Sequence, residues 1–174
     1  MNNKGQAFST FQLLISAVIA LAILVLLLNI LEGINFFNQR KPISEATDLI
    51  KSQINSPSEL RTGQVVTFNR DDTLNSKSIS DNSGALTSNQ VCVSLGDFID
   101  DPGDFTFTSA KEGDILRFNG GQLRVKLSVI CDTGTEIQDD LTQNGVVDDW
   151  LGNEKCQEIT ALNQTACVVA IRSA

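Results

Sequence analysis

Histidine and tyrosine are absent from this 174-residue chain, which has a single tryptophan and a single methionine. Without histidine there is no Ser-His or Cys-His dyad, and the commonest general base and metal ligand are both missing. The chain is therefore not expected to be an enzyme. Positive charge is also scarce: 13 Lys and Arg against 21 Asp and Glu give a formal net charge of -8 and a pI near 4.4. An acidic surface repels phosphate backbones, so no nucleic-acid partner is expected. The four cysteines, Cys92, Cys131, Cys156 and Cys167, form no C-x-x-C pair, which argues against zinc or haem attachment. Their even number fits two disulfides in an oxidising exterior.

Charge of either sign is missing from Gln6 to Leu31, QAFSTFQLLISAVIALAILVLLLNIL, and all Asp and Glu follow it. A helix needs about 20 such residues to cross a bilayer core. The length and the lack of an A-x-A-like site after the run argue against a cleaved secretory signal peptide. The basic residues do not orient the segment: Lys4 stands on one side, Arg40 and Lys41 on the other.

Beyond the run, Phe36 and Phe37 suit a membrane interface, and Gly33 and Pro42 are points where a helix bends. Ile43, Ala46, Ile50 and Ile54 recur at helical spacing with Glu45, Asp48, Lys51 and Ser52 facing outward, and Asn55-Ser56-Pro57 ends that helix. Strands are expected at Gln64 to Phe68, Gln90 to Leu95, Asp104 to Thr108 and Ala166 to Arg172. Asp114 to Cys131 reads as a β-hairpin turning at Asn119-Gly120-Gly121. Leu123, Val125, Leu127 and Val129 would line one face, with Arg124 and Lys126 on the other. Asp71 to Ser83 reads as a long exposed loop. The fold class expected is α+β: a long N-terminal hydrophobic helix followed by a small antiparallel β-sandwich head of roughly 115–120 residues.

The junction Lys4-Gly5 before Gln6, followed by the uncharged run, resembles the class III signal peptide of archaeal type IV pilins, which prepilin peptidase cuts on the cytoplasmic side of the apolar segment. The chain departs at Thr10, where many type IV pilins carry a glutamate that pairs with a neighbour's N-terminus; Thr10 can only hydrogen-bond. The resemblance implies a leader over residues 1–5, processing between Gly5 and Gln6, and a filament-core helix with amphipathic extension over 6–56. An extracellular β-rich head then spans 57–174. It also implies a structural subunit of a surface filament for adhesion or motility. Its partners would be copies of itself, prepilin peptidase, the membrane and the pilus assembly machinery. The chain would lie in the cell membrane before assembly and in an extracellular filament after it. The alternative is an unprocessed single-pass anchor presenting an extracellular binding domain.

Three features of the head carry candidate site chemistry. Of the three disulfide connectivities, Cys92 with Cys131 and Cys156 with Cys167 is the expected one. Asp140, Thr142, Asn144 and Asp148 partly match a calcium loop, with Gly145 at the turn and Val147 as the apolar plug. Leu151 stands where the closing acid belongs, and Glu154 is displaced. No other cofactor is expected, and Asp97, Asp100, Asp101 and Asp104 around Pro102-Gly103 read as a solvated turn. Asn163-Gln164-Thr165 is an N-glycosylation sequon. Trp150 is expected in the core.

Overall fold

The computed structural model describes residues 12–25 and 41–174, apart from Ile99, Lys111, Glu112 and Val147. The chain divides into two compact units, Met1–Gln39 and Arg40–Ala174. In the first, α1 spans residues 12–25, with the Ser16 hydroxyl donating to the Gln12 carbonyl one turn back (2.8 Å). Fourteen helical residues rise about 21 Å, short of a hydrocarbon core of about 30 Å. Among the described residues no helix is long and apolar enough to cross a membrane, so the expected long N-terminal hydrophobic helix is not the architecture found. The exposed large hydrophobic side chains of the described residues all lie on α1, from Leu13 (69% exposed) to Val25 (53%).

The second unit opens with α2, Pro42–Gln53. Pro42 sits in the first turn, where its missing N–H costs nothing and its fixed φ favours the helix. Ala46 and Ile50 are fully buried, as their spacing requires. Glu45 was expected to face solvent and does not: it is 4% exposed, and its Oε1 accepts the Gln64 N–H at 2.9 Å. The close passage of Gly63 permits this, because a side chain there would strike the Glu45 carboxylate. Gln53, also buried, donates to the Ser56 carbonyl (3.0 Å) and to that of Glu59, which folds the chain back after the helix.

Among the described residues seven strands follow: β1 Arg61–Asn69, β2 Thr73–Asn75, β3 Val91–Ser94, β4 Phe105–Ala110, β5 Gly113–Phe118, β6 Gln122–Thr133 and β7 Thr165–Ser173. The strands expected from alternation are present, but the expected antiparallel sandwich is not. A four-stranded mixed sheet runs β1-β6-β7-β3, with β3 parallel to β7, and a separate three-stranded sheet runs β2-β5-β4. Three helices accompany them after α2: α3 Ser76–Ser83, α4 Gly134–Gln143 and α5 Glu154–Ile159.

Two local readings change with this topology. The segments on either side of Asn119-Gly120-Gly121 do not pair as a hairpin: β5 pairs with β2 and β4, whereas β6 pairs with β1 and β7. A two-residue hairpin of the favoured kind needs left-handed backbone, and neither Gly120 nor Gly121 has positive φ. The Asn119 amide instead donates to the Asp104 carbonyl (2.8 Å), holding the turn against the start of β4. Gly120 passes so near the Asp104 carboxylate and the Phe118 ring that a side chain would clash. The chain therefore changes sheets there.

The second change is at Asp71 to Ser83, expected as a loop, which contains β2 and α3. Helix α3 has little apolar periodicity but is well terminated: Asn75 Oδ1 accepts the Lys77 and Ser78 N–H groups (2.8 and 3.2 Å), and Gly84 closes it at φ +69°. Asn75→Ala is expected to cost about 1 kcal/mol. A melting point lower by about 3–5 °C in circular dichroism would register it.

The four-stranded sheet separates two cores. Val66, Phe68, Val125, Leu127, Val129, Val169 and Ile171 face α2 and the second sheet. Phe68, Phe105 and Phe118 interlock there at centroid distances of 5.1–6.2 Å. On the opposite face Ile130, Val168 and Ala170 pack with Ile137, Leu141, Trp150 and Ile159 from α4, the turn Asp148–Leu151 and α5. Strand alternation therefore supplies both faces; α2 and the second sheet cover one, and α4 and α5 cover the other.

Candidate functional site

The cysteines take positions that follow from strand register. Cys131 on β6 lies directly opposite Cys167 on β7 with Cα atoms 4.2 Å apart, and the two are bridged. Cys92 on β3 is bridged to Cys156 on α5, Cα to Cα 5.2 Å. The two disulfides are present, but the expected pairing of Cys92 with Cys131 and Cys156 with Cys167 is replaced. Side-chain alternation explains why: Cys131 and Cys167 belong to the core facing α2, whereas Cys92 points to the other core, with β7 between β3 and β6. Each bridge secures one face of the central sheet. Asn153 helps to place Cys156: its Oδ1 accepts the Cys156 N–H (2.8 Å) and its Nδ2 donates to the Val93 carbonyl (3.0 Å), setting the start of α5 over β3.

The four calcium-loop residues fall on different structures. Asp140 and Thr142 lie within α4, Asn144 is its C-cap, and Asp148 opens the turn Asp148–Leu151. Gly145 makes the sharp turn with φ +71°. The Thr142 hydroxyl donates to the Gln138 carbonyl (2.9 Å), and Asn144 Nδ2 donates to the carbonyls of Asp140 (2.8 Å) and Ser58 (3.2 Å). Leu151 is buried beside Trp150 in the core. Among the described residues no group of three or more His, Cys, Asp or Glu side chains is placed to hold a metal ion.

Asp140 instead meets Asp132, a residue that alternation gave no reason to single out. Both are buried, and their carboxyls share a hydrogen bond. Burial first, and then the negative charge of Asp132, push the Asp140 carboxyl up to about 6. Burial acts in the same direction on Asp132, but hydrogen bonds from the Ser58 hydroxyl, the Thr133 amide and Asp140 outweigh it and hold Asp132 below the usual carboxylate range. Asp140 is therefore the member of the pair that takes up a proton first as pH falls. Through Ser58, which has φ +68° and donates its N–H to the Cys131 carbonyl (3.2 Å), this pair anchors the loop after α2 to the end of β6.

A second buried carboxyl, Asp114 on β5, is fully enclosed. Its Oδ1 accepts from the Ser109 hydroxyl (3.0 Å), its own N–H donates to the Ser76 hydroxyl (2.8 Å), and its Oδ2 is buried without a hydrogen-bond partner. It thus links the second sheet to the start of α3. Burial pushes its carboxyl up to about 6 against the Ser109 hydrogen bond.

The outward face of the second sheet forms an open cleft of about 620 Å³ lined by Thr73, Thr106, Thr108, Arg117 and Asn119. Arg117 is ion-paired with Asp71 at 2.6 Å. The acidic turn is only partly solvated: Asp97 accepts from the Ser173 amide (3.2 Å) and hydroxyl (3.0 Å) and pairs with Arg172 (3.5 Å), while Asp100, Asp101 and Asp104 are exposed. Asn163 is exposed in the loop before β7. Gly5, Gln6 and Thr10 lie outside the described residues, as do Gly33, Phe36 and Phe37. No family model, curated protein or solved structure matches this chain.

Proposed function

We propose that this chain is a structural subunit of a type IV pilus-like cell-surface filament. It is processed by prepilin peptidase between Gly5 and Gln6 and joined to its copies through the hydrophobic N-terminal segment. The observation that carries the reading is the uncharged run Gln6 to Leu31 placed directly after Lys4-Gly5. The apolar side chains exposed all along α1 support it, because such a surface needs lipid or another apolar surface to cover it. Burying each Leu or Ile against a neighbour contributes about 1.5–3 kcal/mol, summed over every copy. The chemistry is self-association rather than catalysis. The two disulfides suit a head displayed outside the cell, for adhesion or motility.

N-terminal sequencing of the protein from its native membrane or surface fraction tests the reading. A start at Gln6 is expected, with filaments visible by electron microscopy. A start at Met1 or Asn2, with a monomer in detergent, overturns it in favour of a tethered binding domain.

A further inference from the structure

Three of the 13 Lys and Arg of this acidic chain lie side by side on one sheet face. On the central sheet Lys126 of β6 lies directly opposite Arg172 of β7, and Arg124 is two residues along β6 on the same face. That face is the one that farther along packs under α4 and α5 through Ile130 and Val168. Here it is open, flanked on β1 by Val65 opposite Lys126 and Thr67 opposite Arg124. Arg124 is exposed, and Lys126 and Arg172 are half-buried. Arg172 has Asp97 at 3.5 Å and lies over the Trp150 ring at 5.9 Å. Neither Arg124 nor Lys126 has an ion-pair partner among the described residues. Like charges facing each other across strands destabilise a sheet, so the isolated domain gains nothing from this arrangement. An acidic surface seated on the strip would relieve it.

The chain carries such a surface. Asp100, Asp101 and Asp104 project around Pro102-Gly103, all exposed and none ion-paired among the described residues. We infer that the basic strip Arg124–Lys126–Arg172 is a docking surface for the Asp100–Asp104 turn of a second copy of this chain. This rests on the filament reading and names the contact between heads. The strip and the turn are different patches, so the contact can repeat head-to-tail from copy to copy, as the filament reading requires. Such a contact propagates into an open assembly, whereas a two-fold pairing closes on itself.

The test uses the full chain, with sedimentation velocity in detergent and electron microscopy after detergent removal. In Arg124→Glu/Lys126→Glu the strip is reversed; in Asp100→Lys/Asp101→Lys the turn is. Each variant alone is expected to associate roughly 100-fold more weakly than wild type, because like charges then face each other. Their equimolar mixture is expected to recover assembly, since each supplies the charge the other lacks. Recovery also shows that both variants are folded. Raising salt to about 1 M, where the screening length is about 3 Å, is expected to weaken the wild type toward the variants. Wild-type-like association of either variant, or a mixture no better than its components, overturns the inference while filaments of the wild type leave the filament reading standing. A wild type that does not self-associate at any salt concentration overturns both.

Discussion

Replacing Cys92 and Cys156 together with serine is expected to lower the melting temperature of the full chain in detergent by roughly 10–20 °C. The bridge closes a loop of 64 residues and ties α5, the cover of one core, to strand β3. In the chain-entropy picture, losing such a loop constraint costs about 4 kcal/mol, and for a unit of this size each kcal/mol moves the midpoint by about 3–5 °C. Cys131→Ser/Cys167→Ser opens a 36-residue loop, for which the entropy alone gives a similar loss. Its environment differs: strands β6 and β7 stay paired by their backbone hydrogen bonds, so the smaller fall of the two is expected there. Thermal denaturation of both variants, with non-reducing peptide mapping of the wild type, checks this. A peptide joining Cys92 to Cys131 would contradict the register of β6 on β7.

Stability is expected to fall as pH rises from about 4 to above 6. Asp114 and Asp140 both have folded pKa values raised to about 6 from an ordinary 3.8. The folded state thus binds these protons more tightly than the unfolded chain. Their contribution is fully present below the unfolded value and is lost as pH climbs through the folded one. A tenfold difference in proton affinity corresponds to about 1.4 kcal/mol, so for fully enclosed Asp114 the loss is on the order of 2–3 kcal/mol by pH 7.5. Asp132 works in the opposite sense. Its lowered pKa contributes stability above its unfolded value that disappears on strong acidification. Asp114→Asn keeps an acceptor for Ser109 and removes the charge. It is expected to be more stable than wild type at pH 7.5, by on the order of 2 kcal/mol, and to show a flatter pH profile. Urea denaturation at pH 4.5, 6 and 7.5 reads both effects; a wild-type midpoint that rises steadily toward pH 7.5 would show that these carboxyls ionise without cost.

What could be read from the sequence was what depends on neighbours along the chain. The buried stripe of α2, the positions of four strands, and the alternation of Val125, Leu127 and Val129 against Arg124 and Lys126 all follow from periods of 3.6 or 2 residues, and the burial of Trp150 follows from its residue type. The even cysteine count pointed to two bridges. Helix α3 escaped because its residues are nearly all polar and its cap, Asn75, also suits a loop. The Asn-Gly-Gly turn misled because turn composition reports that the chain bends, not which strand it meets next.

Partners distant in sequence were decided by the tertiary structure alone. Cys131 finds Cys167 because β6 and β7 align them, and the parallel pairing of β3 with β7 leaves no local mark. Glu45, Asp114, Asp132 and Asp140 look like ordinary surface acids in a chain of net charge -8, and only packing shows them buried. Burial is a property of what folds over a residue. A local pattern can set which way a side chain points, but the element that covers it comes from elsewhere in the chain.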